Sequence, residues 1–236
     1  MRRLKKMKSD VFVIIPARSG SLGVKDKNIR DVNGLTLLEH TIKNALRIGS
    51  PDNIIVSTDS AKYAAVAKKF NSEVIISDRP PNLSSAGSLI VDVVYYELVK
   101  LASRLNASAQ VFLLEPSHFG PRENLIKALE AKRQEKFDFA LGVYKVPLIY
   151  HFEKQIMASK ELDFLEANVV SKNRQDLGQS FIRSGEFYLF PAERFMATKS
   201  FFSGVGRVFL THESSVNIDT LNDLERARNL GIGENV

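Results

Sequence analysis

Short apolar runs alternate with amphipathic stretches along most of this chain. Val11–Pro16 is an unbroken apolar run that predicts a strand, and Leu38, Ile42, Ala45 and Leu46 fall on one face of a predicted helix over Leu35–Ile48. The alternation continues with strands predicted at Asn53–Ser57, Glu73–Ile76, Ala109–Leu114 and Asp138–Val143. Between them the spacing predicts helices from a cap at Asp59 or Ser60 through Phe70, over Ser88–Leu105 and over Pro121–Arg133. From Tyr144 to Ile182 the pattern loosens into short alternating pieces, which reads as a β-rich arm leaving the sheet. Order returns with a strand at Glu186–Phe190, a short helix at Pro191–Ala197, a strand at Arg207–Leu210 and a closing helix at Thr220–Leu230. Strands alternating with helices are the signature of βαβ units, so the expected fold class is α/β, a mostly parallel open sheet flanked by helices in the Rossmann-like manner.

The length of 236 residues suits one α/β domain over 11–236 with an excursion at 144–182, preceded by a basic tail at 1–10. The chain has no internal repeat and no linker-like tract that would divide it. It has no cysteine, which excludes disulfides, thiolate metal sites and a cysteine nucleophile, and its four histidines are too scattered for a zinc site. The net charge is +6, but Arg2, Arg3, Lys5, Lys6 and Lys8 carry five of those charges and leave +1 for the remainder. With no basic stripe interleaved with aromatics, nucleic acid is not an expected partner. The apolar run after the tail is too short for a signal peptide and ends in Pro-Ala-Arg, and no segment reaches the length of a membrane span. A cytoplasmic protein with no membrane partner is therefore expected.

The chemistry is concentrated where the first strand ends. Residues 16–30 carry Arg18, Gly20, Ser21, Gly23, Lys25, Lys27, Asn28 and Arg30 in a loop at the carboxyl end of that strand, which is where an open α/β sheet binds its ligand. Glycines admit close backbone approach, and amides with cations suit phosphate. The Gly-Lys-Ser/Thr ending of a Walker A loop is absent, so a nucleotide triphosphate held by a different loop is expected.

Three further stretches complete a pattern. Ile54-Ile55-Val56-Ser57-Thr58-Asp59 closes the second strand, Asn173-Arg174-Gln175-Asp176-Leu177 precedes Ser184-Gly185-Glu186-Phe187-Tyr188, and Asn217-Ile218-Asp219-Thr220 precedes Asp223-Leu224. With the loop, these resemble the CMP-sialic acid synthetases (acylneuraminate cytidylyltransferases) from Val11 to about Ala227. The resemblance implies transfer of CMP from CTP to a nonulosonic sugar acid with release of pyrophosphate, magnesium as cofactor, and a homodimer in which the arm reaches across to help form the sugar pocket. It implies that Arg18, Ser21 and Lys27 are catalytic, and that Ala17, Lys25, Asn28, Arg79 and Glu115 join them in binding the nucleotide. Arg79 is placed near the cytosine, Arg174 and Gln175 contact the sugar acid, and Asp219 with Asn217 holds the metal.

Plainer readings stand beside these. Lys25 and Lys27 also suit solvated charges, Asp59 suits a helix cap better than a site residue, Asp219 suits a cap on the last helix, and Arg174 suits a salt bridge in the arm. His40 reads as packing, and His118 and His151 as loop residues. The chain also departs from the family at Leu22 (for lysine), Ala86 and Ser184, at Asn217 (for the first acid of an Asp-x-Asp pair), and at Glu186 (for alanine). Glu115 replaces glutamine; a glutamate can accept from the cytosine amino group but sets a negative charge near phosphate. Two alternatives follow: a nucleotide-binding relative that has lost catalysis, or a 3-deoxy-manno-octulosonate-type cytidylyltransferase, a family that also keeps only the second acid.

Overall fold

The computed structural model describes residues 10–21, 23–147 and 179–230. In chain order the strands are β1 (Val11–Pro16), β2 (Asp31–Val32), β3 (Leu35–Thr36), β4 (Ile54–Thr58), β5 (Ile75–Asp78), β6 (Gln110–Leu113), β7 (His118–Phe119), β8 (Phe139–Lys145), β9 (Phe181–Pro191), β10 (Gly206–Leu210) and β11 (Val216–Asn217). The helices are α1 (Leu37–Ile48), α2 (Ala61–Phe70), α3 (Ile90–Lys100), α4 (Asn124–Gln134), α5 (Ala192–Thr198) and α6 (Leu221–Leu230). Among the described residues seven strands make one sheet in the order β10-β8-β9-β6-β1-β4-β5. All its neighbours run parallel except the two pairs made by β9. The expected fold class is thus the observed one.

Successive side chains of a strand point to opposite faces, and β1 is apolar on both. Val11, Val13 and Ile15 pack with Leu38 and Ile42 of α1, Tyr63 of α2 and Leu125 of α4, whereas Phe12 and Ile14 pack with Val94 and Leu98 of α3 and Phe195 of α5. A third, smaller apolar cluster joins Val24 of the post-β1 loop, Val32, Leu37, Val216, Ile218, Leu224 and Ala227. It fastens the segment before α6 against that loop.

The differences from the sequence pattern have local causes. Leu35 and Thr36 do not open α1; they pair with Asp31 and Val32 across a turn in which Asn33 and Gly34 both have positive φ. Thr36 then caps α1 through a capping box, its Oγ1 accepting from the Glu39 amide while Glu39 accepts from the Thr36 amide at 2.7 Å. The helix predicted over 88–105 is shorter, and Ala102–Arg104 form a separate 3-10 turn. The helix predicted from Pro121 begins at Asn124. β9 starts at Phe181, five residues before its predicted start, because Ser184 and Glu186 are buried and continue the strand through polar residues. β8 and β9 bound the excursion more closely than expected, and the Val146 amide donates to the Ser180 carbonyl at 2.9 Å where the chain leaves and returns. The basic tail up to Ser9 and residues 148–178 of the excursion, Arg174 and Gln175 included, lie outside the described residues, as does Leu22.

Replacing the cap tests this account of α1: Thr36→Ala is expected to lower stability by about 1 kcal/mol, read as a lower urea midpoint at unchanged m-value.

Candidate active site

The chain visits β1, β4 and β5 on one side and then returns to place β6 on the other side of β1. This reversal opens a crevice beyond the carboxyl ends of β1 and β6, the position where open α/β sheets bind ligands. A cavity of about 400 Å³ lies there, lined by Arg18, Ser21, Gly23, Lys27 and Asn28 from the post-β1 loop, Arg79 after β5, Ser88 before α3, Glu115–Ser117 after β6, and Asp219 before α6.

The loop is held from several sides. The Asp59 carboxylate accepts from the Ser19 amide at 2.8 Å and from its hydroxyl at 3.1 Å. Asp59 is therefore not the cap of α2; Ser60 is, accepting from the Tyr63 amide. Arg18 Nη1 donates to the Gly20 carbonyl at 2.6 Å, and buried Asn28 donates to the Arg18 carbonyl at 3.1 Å. Asp26, in the left-handed region at φ 55°, accepts from Lys62 and from the Tyr63 hydroxyl, and these hydrogen bonds, that of Lys62 first, lower its carboxyl below the ordinary value. Gly23 is required by contact: a Cβ there would lie 2.0 Å from the Asp219 carbonyl oxygen.

The Asp219 side chain does not cap α6, because its neighbours do. Thr220 and Asp223 bond reciprocally at the start of α6, and the Asp219 carboxylate instead pairs with Lys27 at 3.0 Å, with side-chain exposures of 77% and 15%. Arg79 is buried; its Nε donates to Ser57 Oγ at 3.1 Å and its Nη2 to the Ser57 carbonyl at 2.7 Å, and burial lowers the pKa of its guanidinium. Burial pushes the Glu115 carboxyl above the ordinary range, against the opposing pull of Arg122 and Lys27.

Beneath Glu115 lies a buried polar layer that the sequence did not reveal. Arg122 is almost wholly buried, and its guanidinium donates to the carbonyls of Glu115 at 2.8 Å, His118 at 2.6 Å and Glu186 at 3.0 Å. Burial draws its pKa down to about 10. Glu186 accepts from Asn124 at 2.9 Å and from Thr211 at 2.8 Å, and burial raises its carboxyl. Gly142 lets β8 pass this layer, since a Cβ there would lie within 2.9 Å of Ser184, Glu186 and Thr211. His118 is not the loop residue expected but a buried member of β7. Its Nδ1 lies 3.3 Å from the Ser184 carbonyl, and burial first, then the Arg122 charge, lowers its pKa to about 3.

Of the expected site residues, Arg18, Ser21, Lys27, Asn28, Arg79, Glu115 and Asp219 share one cavity. Three others stand elsewhere. Ala17 is fully buried with its amide donated to the Ser57 carbonyl, because it still continues the β1–β4 pairing. Lys25 is exposed and off the cavity wall, and its carbonyl accepts from Arg30. Asn217 does not line the cavity with Asp219; it sits two residues earlier, at the end of β11, and its side-chain amide donates to the Ser184 carbonyl at 2.7 Å. His40 packs as expected, edge-on to Phe119. Ser88, Ser117 and the anchoring role of Asp59 were missed; Asp59 follows a strand end, but short-range spacing offers only its capping alternative.

A family model described as Cytidylyltransferase matches residues 12–95. An N-acylneuraminate cytidylyltransferase of Escherichia coli is 27% identical over 225 residues, 94% of this chain and 52% of that protein. A pseudaminic acid cytidylyltransferase of Campylobacter jejuni is 28% identical over 219 residues, 91% of this chain and 93% of that protein. Along most of its length the chain is similar in sequence to these cytidylyltransferases. It spans about half the length of the first of these relatives and nearly all of the second. Among solved structures, a CMP:2-keto-3-deoxy-manno-octonic acid synthetase complexed with CTP superposes with a TM-score of 0.63 at 15% identity, over 95% of this chain and 99% of that one, which establishes a shared fold.

His118 gives this site a pH signature. Its folded pKa lies below the ordinary 6.5, so the stability tied to keeping it neutral is complete above pH 6.5 and is lost as pH falls towards 3. His118→Gln is expected to lose less stability than the unsubstituted protein between pH 7 and pH 5, measured as urea midpoints across that range.

Proposed function

We propose that this protein transfers CMP from CTP to a nonulosonic sugar acid and releases pyrophosphate. The observation that carries the reading is convergence: seven residues expected from four separate sequence segments line a single cavity at the switch point of the sheet. The curated relatives named for N-acylneuraminate and pseudaminic acid supply the substrate class.

In this reading the sugar-acid hydroxyl attacks the α-phosphorus of CTP and the bond to the outer two phosphates breaks. Such a step needs positioning and charge neutralisation more than covalent catalysis. Arg18, Ser21 and Lys27 face the phosphates, and Asn28 keeps the loop in register through the Arg18 carbonyl. Arg79, fixed on Ser57, stands at the nucleoside end. Magnesium, when bound, offsets phosphate charge. Among the described residues no group of three or more His, Asp or Glu encloses an ion. That donor set fits an ion held by Asp219 together with nucleotide oxygens, since magnesium commonly takes one or two carboxylates and substrate phosphates. Lys27 then serves as the counter-charge of Asp219 when the ion is away.

The same reading assigns the sugar-acid contacts to Arg174 and Gln175 in an arm over 144–182, and makes the molecule a cytoplasmic homodimer with a single catalytic domain. It involves neither nucleic acid nor membrane; among the described residues no helix is long and apolar enough to cross a bilayer.

Two outcomes test it. CTP is expected to raise the melting temperature more than UTP or ATP does, and Arg18→Ala is expected to cut pyrophosphate release at least about 100-fold while leaving the melting temperature without ligand unchanged. Equal shifts with all three nucleotides, or retained turnover, count against the assignment. Asp219→Asn is expected to raise the magnesium concentration needed for half-maximal rate, and an unchanged titration would leave Asp219 as the partner of Lys27 alone.

A further inference from the structure

Two carboxylates line the cavity, and they are in different states. Asp219 is engaged by Lys27 at 3.0 Å. The Glu115 side chain accepts no hydrogen bond from any described residue, although its backbone carbonyl is clamped by Arg122 at 2.8 Å. Its main chain is therefore fixed while its carboxylate remains an open acceptor on the cavity wall. Glu115 follows β6, the strand beside β1, so it flanks the crevice opposite the loop that carries Arg18, Ser21 and Lys27.

Resting on the function proposed above, we infer that Glu115 is the general base of the transfer: its carboxylate takes the proton from the sugar-acid hydroxyl as that oxygen bonds to the α-phosphorus and pyrophosphate departs. The balance is closed. One O–P bond forms and one breaks, the proton passes from hydroxyl to carboxylate, and no redox partner is involved. The residue replaced by Glu115 in the resembled family is glutamine, which can accept a hydrogen bond but cannot keep a proton at neutral pH.

The surroundings suit the task. Burial and Asp219 oppose the charged form, whereas Arg122 before α4, Lys27 from the post-β1 loop and Arg183 from β9 favour it. The net result is a carboxyl raised above its ordinary value, nearer to working pH, where a base is most effective. The rate should therefore rise with pH through the Glu115 titration.

The test is pyrophosphate release from CTP and magnesium with N-acetylneuraminic or pseudaminic acid, from pH 5 to pH 8.5, for the unsubstituted protein and Glu115→Gln. Expected are an acid limb of one proton in kcat/KM, a loss of about 100-fold or more in kcat for the variant, and disappearance of that limb from its residual rate. If the unsubstituted protein turns over and the variant keeps its rate within about threefold at neutral pH, the base role is overturned while the proposed function stands. If the variant does not fold, the unsubstituted profile decides: a flat profile overturns the base role, and a one-proton acid limb supports it. If the unsubstituted protein releases no pyrophosphate with either acid, both readings fail together.

Discussion

The burial of β1 on both faces is the constraint from which the rest of the structure follows. A strand apolar on both faces must lie between helical layers, and one paired in parallel with both β4 and β6 must lie in the interior of the sheet. The chain leaving its carboxyl end emerges into the crevice where the strand order reverses. Cations and glycines placed at that point need no further device to face a ligand. The apolar cluster of Val24, Val32, Ile218 and Leu224 then brings the distant Asp219 segment onto the same loop, and Gly23 permits the contact.

The cavity is shaped as much by what supports it as by what lines it. Arg122 donates to three carbonyls across the Glu115, His118 and β9 segments, so one guanidinium sets the spacing between the cavity wall and the antiparallel strand. A buried cation of this kind needs nearby negative charge and full hydrogen bonding, because its desolvation is costly. Glu186 supplies the charge, and Asn124 and Thr211 hold Glu186 in turn. The departure from alanine at Glu186 is thus part of a layer that also contains the departures at Glu115 and Ser184. Within that layer Ser184 and Glu186 share Thr211 as a partner, and Arg122 reaches the main-chain oxygens of Glu115 and Glu186.

Much of this was legible in the sequence because it depends on short-range periodicity. The bounds of β1 were read without error, and the helices over 37–48 and 61–70 follow from apolar spacing and capping residues. The site was legible because its residues lie at strand ends, where a motif carries its own structural context. Features set by long-range pairing were not. The start of β9 was hidden because Arg183, Ser184 and Gly185 look like loop residues until the buried partners of Ser184 are known. The hairpin over 31–36 is too short to produce a period. Asn217 and Asp219 are two apart, yet the turn into α6 gives them different surroundings, so that Asp219 lines the cavity while Asn217 bonds to the Ser184 carbonyl. Asp59 could be distinguished from a cap only by knowing that Ser19 lies above it.

The single reversed strand has a consequence for how such a molecule can change. Because β8 and β9 run antiparallel as neighbours, the polypeptide departs and re-enters through a gate one hydrogen bond wide, from Val146 to Ser180. Closing a longer or shorter loop across a fixed gate alters free energy only with the logarithm of its length. A change of length between those two residues leaves β8 and β9 paired and the cavity-lining segments at their places in the sheet.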